Sequence, residues 1–75
     1  MMVFSDTLIT ALQQTSNQIA GDAGTSDPEA VAELCVDAGR MEIYGYKEAQ
    51  EEARALISEF GYSEFLKEAA NHVYC

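Results

Sequence analysis

The residues able to do nucleophilic or soft-metal chemistry are few: one histidine, His72, and two cysteines, Cys35 and Cys75. In the stretch HVYC, His72 and Cys75 stand three apart, a separation that one helix face brings together. A structural zinc needs four ligands, usually as two such pairs, and no second pair accompanies this one. Any serine or cysteine nucleophile would have to borrow the same histidine, and its neighbours Asn71 and Tyr74 complete no motif. GDAGTSDPE is rich in oxygen but lacks the alternating acids of a calcium loop. The glycines stand singly, not in a phosphate-cradling run.

Carboxylates are plentiful. General acid work needs one held in an apolar cleft, and a chain of 75 residues has little room for such a cleft. These observations predict no catalytic residue, no cofactor and no metal: a non-enzymatic protein. His72 reads as a solvent-facing residue near a helix C-terminus, where a cation is tolerated. Cys35 reads as a small core hydrophobe and Cys75 as exposed. With no C-x-x-C and no dense cysteine framework, a reducing cytoplasm is the simpler setting. MMVFSDTLITAL lacks the basic start of a signal peptide. No stretch approaches the roughly 18 apolar residues of a membrane span, so a soluble, cytoplasmic chain is expected.

Charge offers more than catalysis does. Thirteen acids face four bases, for a formal net charge of −9 and a pI near 4.1. Such a surface repels phosphates and anionic headgroups, which disfavours direct nucleic-acid or membrane binding, and it steers towards a protein partner with a basic surface. Two faces stand out. Glu29, Glu33 and Asp37 recur every fourth residue, about 6 Å apart on a helix. That step is close to the roughly 6–7 Å between successive phosphates along one DNA strand. Glu48, Glu52 and Glu59, with Glu51 beside them, line a second helix. These seven are the candidate partner-binding residues, placed to enter a groove built for nucleic acid. The other face carries no charge at all from Thr7 to Gly21. Its outer residues Thr10, Gln13, Gln14, Asn17 and Gln18 are cheaper to desolvate than carboxylates. With Tyr44, Tyr46 and Tyr62 they form a candidate homodimer interface, since aromatics suit interface cores.

The elements that position these residues are helices. Ser5 or Asp6 caps a first helix over 6–20, with Leu8, Leu12 and Ile19 inward, Ile9 and Ser16 beside them, and Gly21 as its stop. Val3 and Phe4 precede it and are expected to tuck back onto the core. GDAGTSD is the one clear loop. Ser26 and Glu29 have capping-box spacing and Pro28 suits the first turn, opening a second helix over 27–44. Its stripe is Val31, Leu34, Cys35 and Ala38. Gly39 offers one cap for this helix; the reading adopted is continuation past Gly39 to Tyr44, capped by Gly45, with a distorted last turn, which brings Met41 to that stripe but also turns Glu42 inward. A third helix over 46–60 buries Ala49, Ala53, Leu56, Ile57 and Phe60. Gly61 ends it and Ser63 caps a fourth, 63–74, with Phe65, Leu66, Ala69, Ala70 and Val73 inward. The result is an all-α single domain, a bundle of four short helices joined by tight glycine turns.

YGYKEAQEEA and FGYSEFLKEA repeat a phrase sixteen positions apart. In each, an aromatic closes a helix, glycine takes a left-handed position, and tyrosine makes the apolar contact of a Schellman cap. AGRMEIYGYKEAQEEARAL resembles one helical hairpin of the tetratricopeptide repeats, one residue short in the turn. Such units need about three copies to bury a core, so the resemblance extends to hairpin grammar and implies no family. In size, acidity and lack of catalytic motif the chain is similar to phage-borne anti-restriction and anti-CRISPR proteins. The expected function is therefore inhibition or regulation of a basic nucleic-acid-handling protein, with mimicry of nucleic acid as one route; the alternative is an assembly module acting through homodimerisation.

Overall fold

The computed structural model describes residues 2–24 and 26–73, and every element in it is helical. In chain order these are α1 (Asp6–Ala23), α2 (Pro28–Val36), a 3-10 turn (Asp37–Gly39), α3 (Arg40–Ile43), α4 (Lys47–Phe60), α5 (Tyr62–Ala69) and a second 3-10 turn (Ala70–His72). The all-α bundle read from the sequence is thus observed, with the expected second helix delivered in three pieces.

Ser5 caps α1: its Oγ accepts the Leu8 N–H at 3.2 Å. The same residue is tied to α4, its backbone N–H donating to Glu52 Oε2 at 3.0 Å and its hydroxyl donating to the other carboxylate oxygen. Phe4 therefore enters the core, as expected, while Val3 stays exposed. The Phe4 ring stacks on Phe65 at 5.3 Å and meets the His72 ring at the same distance. Aromatic pairs of this kind add about 0.5–1.5 kcal/mol beyond their buried area. His72 is accordingly half-buried, not solvent-facing, and its Nε2 lies 3.2 Å from Glu68.

Leu8, Leu12, Ile19, Val31, Cys35, Met41, Phe65 and Val73 fill the centre, with alanines 11, 32, 49, 53 and 69 between them. α1 packs on α2 and α4, α4 on α3 and α5, and α5 returns against α2. The small residues let these short helices approach closely. Leu56, Ile57 and Phe60 are half-buried at the edge of this core.

Several boundaries differ from the sequence reading. Gly21 lies within α1, which ends at Gly24 instead. A glycine inside a helix costs only about 1 kcal/mol, so the helix runs past it. The capping residue of α2 is Asp27, with Pro28 first in the helix, so the Ser26–Glu29 box is out of register. Tyr62 enters α5 directly and Ser63 is its second residue, not its cap. Tyr74 and Cys75 lie outside the described residues.

The largest difference is the break after Val36. Ala38 (φ 51°, ψ 24°) and Gly39 (φ 70°, ψ 30°) both adopt left-handed backbone. The Arg40 N–H now bonds Asp37 O, so the Val36 carbonyl loses the partner a continuous helix would supply. Gln50 replaces it. Buried on α4, its Nε2 donates to Val36 O at 3.0 Å. The turn drives Met41 fully into the core and leaves Glu42 exposed, which removes the conflict a continuous helix would create. At the end of α3, Gly45 N–H bonds Glu42 O at 3.0 Å and Tyr46 N–H bonds Met41 O at 2.8 Å. This is the Schellman pattern expected there. The sister junction does not repeat it: Gly61 sits at φ 93°, ψ 149° and bonds Ile57 O in ordinary helical register.

Candidate functional site

The inner side of α2 carries Val31, Ala32, Cys35 and Val36. Helical geometry then turns Glu29 and Glu33 to solvent, and both are exposed. One helical step of about 6 Å separates them. Asp37 is exposed too, and its N–H still bonds Glu33 O while its own backbone (φ −66°, ψ 142°) turns out of the helix. The third acid thus closes the row, one helical step beyond Glu33, and the chain leaves the helix only after it.

The charges of Glu33 and Asp37 reach Tyr62. This tyrosine opens α5 and is 40% exposed. Partial burial, then the charges of Glu33 and Asp37, push its hydroxyl above the ordinary tyrosine range. A phenol whose ionisation two carboxylates oppose keeps its proton and donates hydrogen bonds. Two candidate partner-binding acids, from α2 and the break, thus act electrostatically on one candidate interface aromatic of α5.

The acids of α4 form no comparable group. Glu48, Glu51 and Glu59 are exposed, whereas Glu52 is half-buried and occupied by Ser5. The two Ser5 bonds fasten the residues ahead of α1 to α4. Glu48 borders an open hollow of about 310 Å³ with Thr7, Gly45, Tyr46, Lys47 and Ala49. No side chain caps α4, and Glu48 stands in its first turn, where a negative charge is favoured.

The uncharged face of α1 is real but not apolar. Thr10, Gln14, Asn17 and Gln18 are exposed and Gln13 is half-buried. Among the described residues the exposed large apolar side chains are Val3, Ile43, Tyr44 and Tyr62, none of them on α1. Tyr46 is half-buried. The candidate interface residues are therefore divided among separate places.

Burial pushes the Cys35 thiol up from 9.0 to about 12, and its Sγ faces Leu12 O at 3.9 Å. A thiol so held carries no appreciable thiolate near neutrality. Among the described residues no group of three His, Cys, Asp or Glu side chains is arranged to hold a metal ion. No helix among them is long and apolar enough to cross a membrane.

Sequence reasoning missed Gln50 and Thr15, polar residues that sit fully inside the bundle. A polar residue at an inward position of the α4 period was the signal for Gln50. These features define a class, an acidic helical bundle with an anionic side built on α2. Compared with protein-family models, curated proteins and solved structures, the chain matches none.

Proposed function

We propose that the chain binds a basic, nucleic-acid-handling protein through the side formed by Glu29, Glu33, Asp37 and Tyr62, and inhibits or regulates it by occupying a groove meant for nucleic acid. The observation that carries this reading is the state of those carboxylates. Residues 22–37 contain five acids and no base. Glu29, Glu33 and Asp37 are exposed and take part in no ion pair among the described residues. Their charge is open to a partner and not spent within the fold. A cationic groove that receives them releases its own counterions, the same driving force that phosphates exploit. This is the mode of action expected of a phage-type anti-restriction or anti-CRISPR inhibitor.

The test is capture from the native host at about 50 mM salt, with the natural chain and an E29K/E33K/D37K variant side by side and mass spectrometry as the readout. The natural chain is expected to retain basic nucleic-acid-binding proteins that duplex DNA elutes, and the variant to lose them. The same proteins on both baits would refute the proposal.

A further inference from the structure

The break after Val36 divides the bundle into two halves that depend on each other. Before it stand α1 and α2, after it α3, α4 and α5; α1 packs on α4, and α2 packs on α5. The contacts that join the halves are specific. Phe4 stacks on Phe65 at 5.3 Å, the Ser5 N–H donates to Glu52 at 3.0 Å, and Gln50 donates to Val36 O at 3.0 Å. The covalent link between the halves is strained. Asp37 is extended (ψ 142°), while Ala38 (φ 51°) and Gly39 (φ 70°) are left-handed. Alanine is the best helix former and is disfavoured in that conformation. No proline lies between Glu29 and Tyr44, and helix flanks the segment on both sides. A continuous helix through it would release the strain at Ala38 and give Val36 O the Arg40 N–H in helical register.

We propose that residues 37–39 are a hinge through which two copies of the chain exchange their second halves, with α2 and α3 running on as one helix in each copy. A single chain cannot straighten there and keep its core, because α4 and α5 would leave α1 and α2. Two chains can. The second half of each docks on the first half of the other, and the Phe4–Phe65, Ser5–Glu52 and Gln50–Val36 contacts all re-form between chains. Exchange of an identical element needs no new surface, which makes it a low-cost route to a dimer. Ala38 and Gly39 carry little or no side chain, so the two hinge helices can cross closely. The inference goes beyond the proposed inhibitory function and does not rest on it.

The strain sets the balance between the two states. Both are folded, so the unfolded chain drops out of the comparison. A left-handed penalty counts once in each monomer and therefore twice for each dimer formed. Gly39→Ala adds such a penalty to the monomer and none to the straight helix, and is expected to tighten the dimer on the order of 30- to 1,000-fold. Ala38→Gly removes one and is expected to weaken the dimer by a similar factor. Two copies carrying −9 each repel, but at about 0.15 M salt a screening length of about 8 Å confines that repulsion to facing groups. Conversion requires the halves to part, so a dimer formed during refolding separates slowly on dilution.

The test is refolding of the full chain from urea at about 1 mM, where weak complexes half-form, in about 0.15 M salt, followed by sedimentation. The natural chain is expected to give a dimer, Gly39→Ala more of it and Ala38→Gly less, with circular dichroism confirming that each folds. Co-refolding of isotope-labelled and unlabelled chains separates exchange from surface contact. A filtered nuclear Overhauser effect between the Phe4 and Phe65 rings of different chains is expected only where the halves have swapped. Should Gly39→Ala not fold, the natural chain against Ala38→Gly carries the same test. The proposal is overturned by a natural chain that stays monomeric, or by an Ala38→Gly variant that dimerises as well or better. A folded Gly39→Ala variant that dimerises less overturns it too, as does a dimer whose Phe4–Phe65 contact lies within each chain. None of these results bears on whether a basic host protein is captured.

Discussion

Exchanging the residue types at positions 38 and 39, one at a time, separates the broken α2–α3 segment from the continuous helix that the sequence suggests. Ala38 holds φ 51° and is exposed, so Ala38→Gly removes the left-handed penalty of about 1–2 kcal/mol and loses no packing. Glycine's greater freedom in the unfolded chain returns about 0.4–1 kcal/mol of this, which leaves a net stabilisation of about 0.5–1 kcal/mol. Gly39→Ala does the reverse. Its φ of 70° opposes a side chain, while the new Cβ has room, its nearest neighbour being Arg54 Nη2 at 3.8 Å. The loss is therefore strain alone, again about 0.5–1 kcal/mol. For a domain of this size each change moves the thermal midpoint by about 3–6 °C. Far-ultraviolet circular dichroism followed through thermal melts measures both variants. In a continuous helix the signs invert, because glycine at either position costs about 1 kcal/mol relative to alanine. A less stable Ala38→Gly together with a more stable Gly39→Ala would refute the break.

Other expectations follow from single contacts. Ser5→Ala removes the α1 cap and a donor to Glu52, and is expected to cost about 1–2 kcal/mol in urea unfolding. The cost is smaller in an Glu52→Gln background, with a coupling of about 0.5 kcal/mol or more. Cys35 loses its proton near 9.0 when unfolded but only near 12 when folded. Its contribution is thus complete below pH 9 and declines as pH rises, by about 2 kcal/mol at pH ~10.5, one proton at about 1.36 kcal/mol per pH unit. The stability gap between the natural chain and Cys35→Ala is expected to narrow by that amount between pH ~8 and ~10.5; a constant gap contradicts the burial of the thiol. Tyr62 is expected to ionise above the ordinary value of 10.0. A Glu33→Gln/Asp37→Asn variant lowers that value without reaching 10.0, because partial burial remains; ultraviolet difference titration reads both.

The helices were legible because their signals are local. Pro28 opens α2, and the period of Ala49 and Ala53 places the inner side of α4. The Schellman turn at Gly45 was readable from YGY for the same reason. The break at Ala38 was not, because it depends on a distant residue: Gln50 supplies the donor that Val36 O loses. Alanine is the best helix former, so its type argues against the conformation it adopts. At Gly61 the same phrase gives a different turn, since Tyr62 enters α5 with no intervening residue. On the candidate site, the period of four exposed Glu29 and Glu33 correctly. It could not show that the charges of Glu33 and Asp37 act on Tyr62, nor that Glu52 is held by Ser5. Those facts are tertiary, and no spacing along the chain encodes them.

The most direct test of the anionic side of α2 as a binding surface is the salt dependence of affinity for the captured basic partner, measured for the natural chain and for E29K/E33K/D37K. If each of the three carboxylates displaces one counterion as a phosphate does, affinity is expected to fall on the order of 40-fold between about 50 and 200 mM salt. The variant is expected to bind weakly at both salt concentrations. Affinity of the natural chain that ignores salt, or a variant that binds equally well, would contradict it.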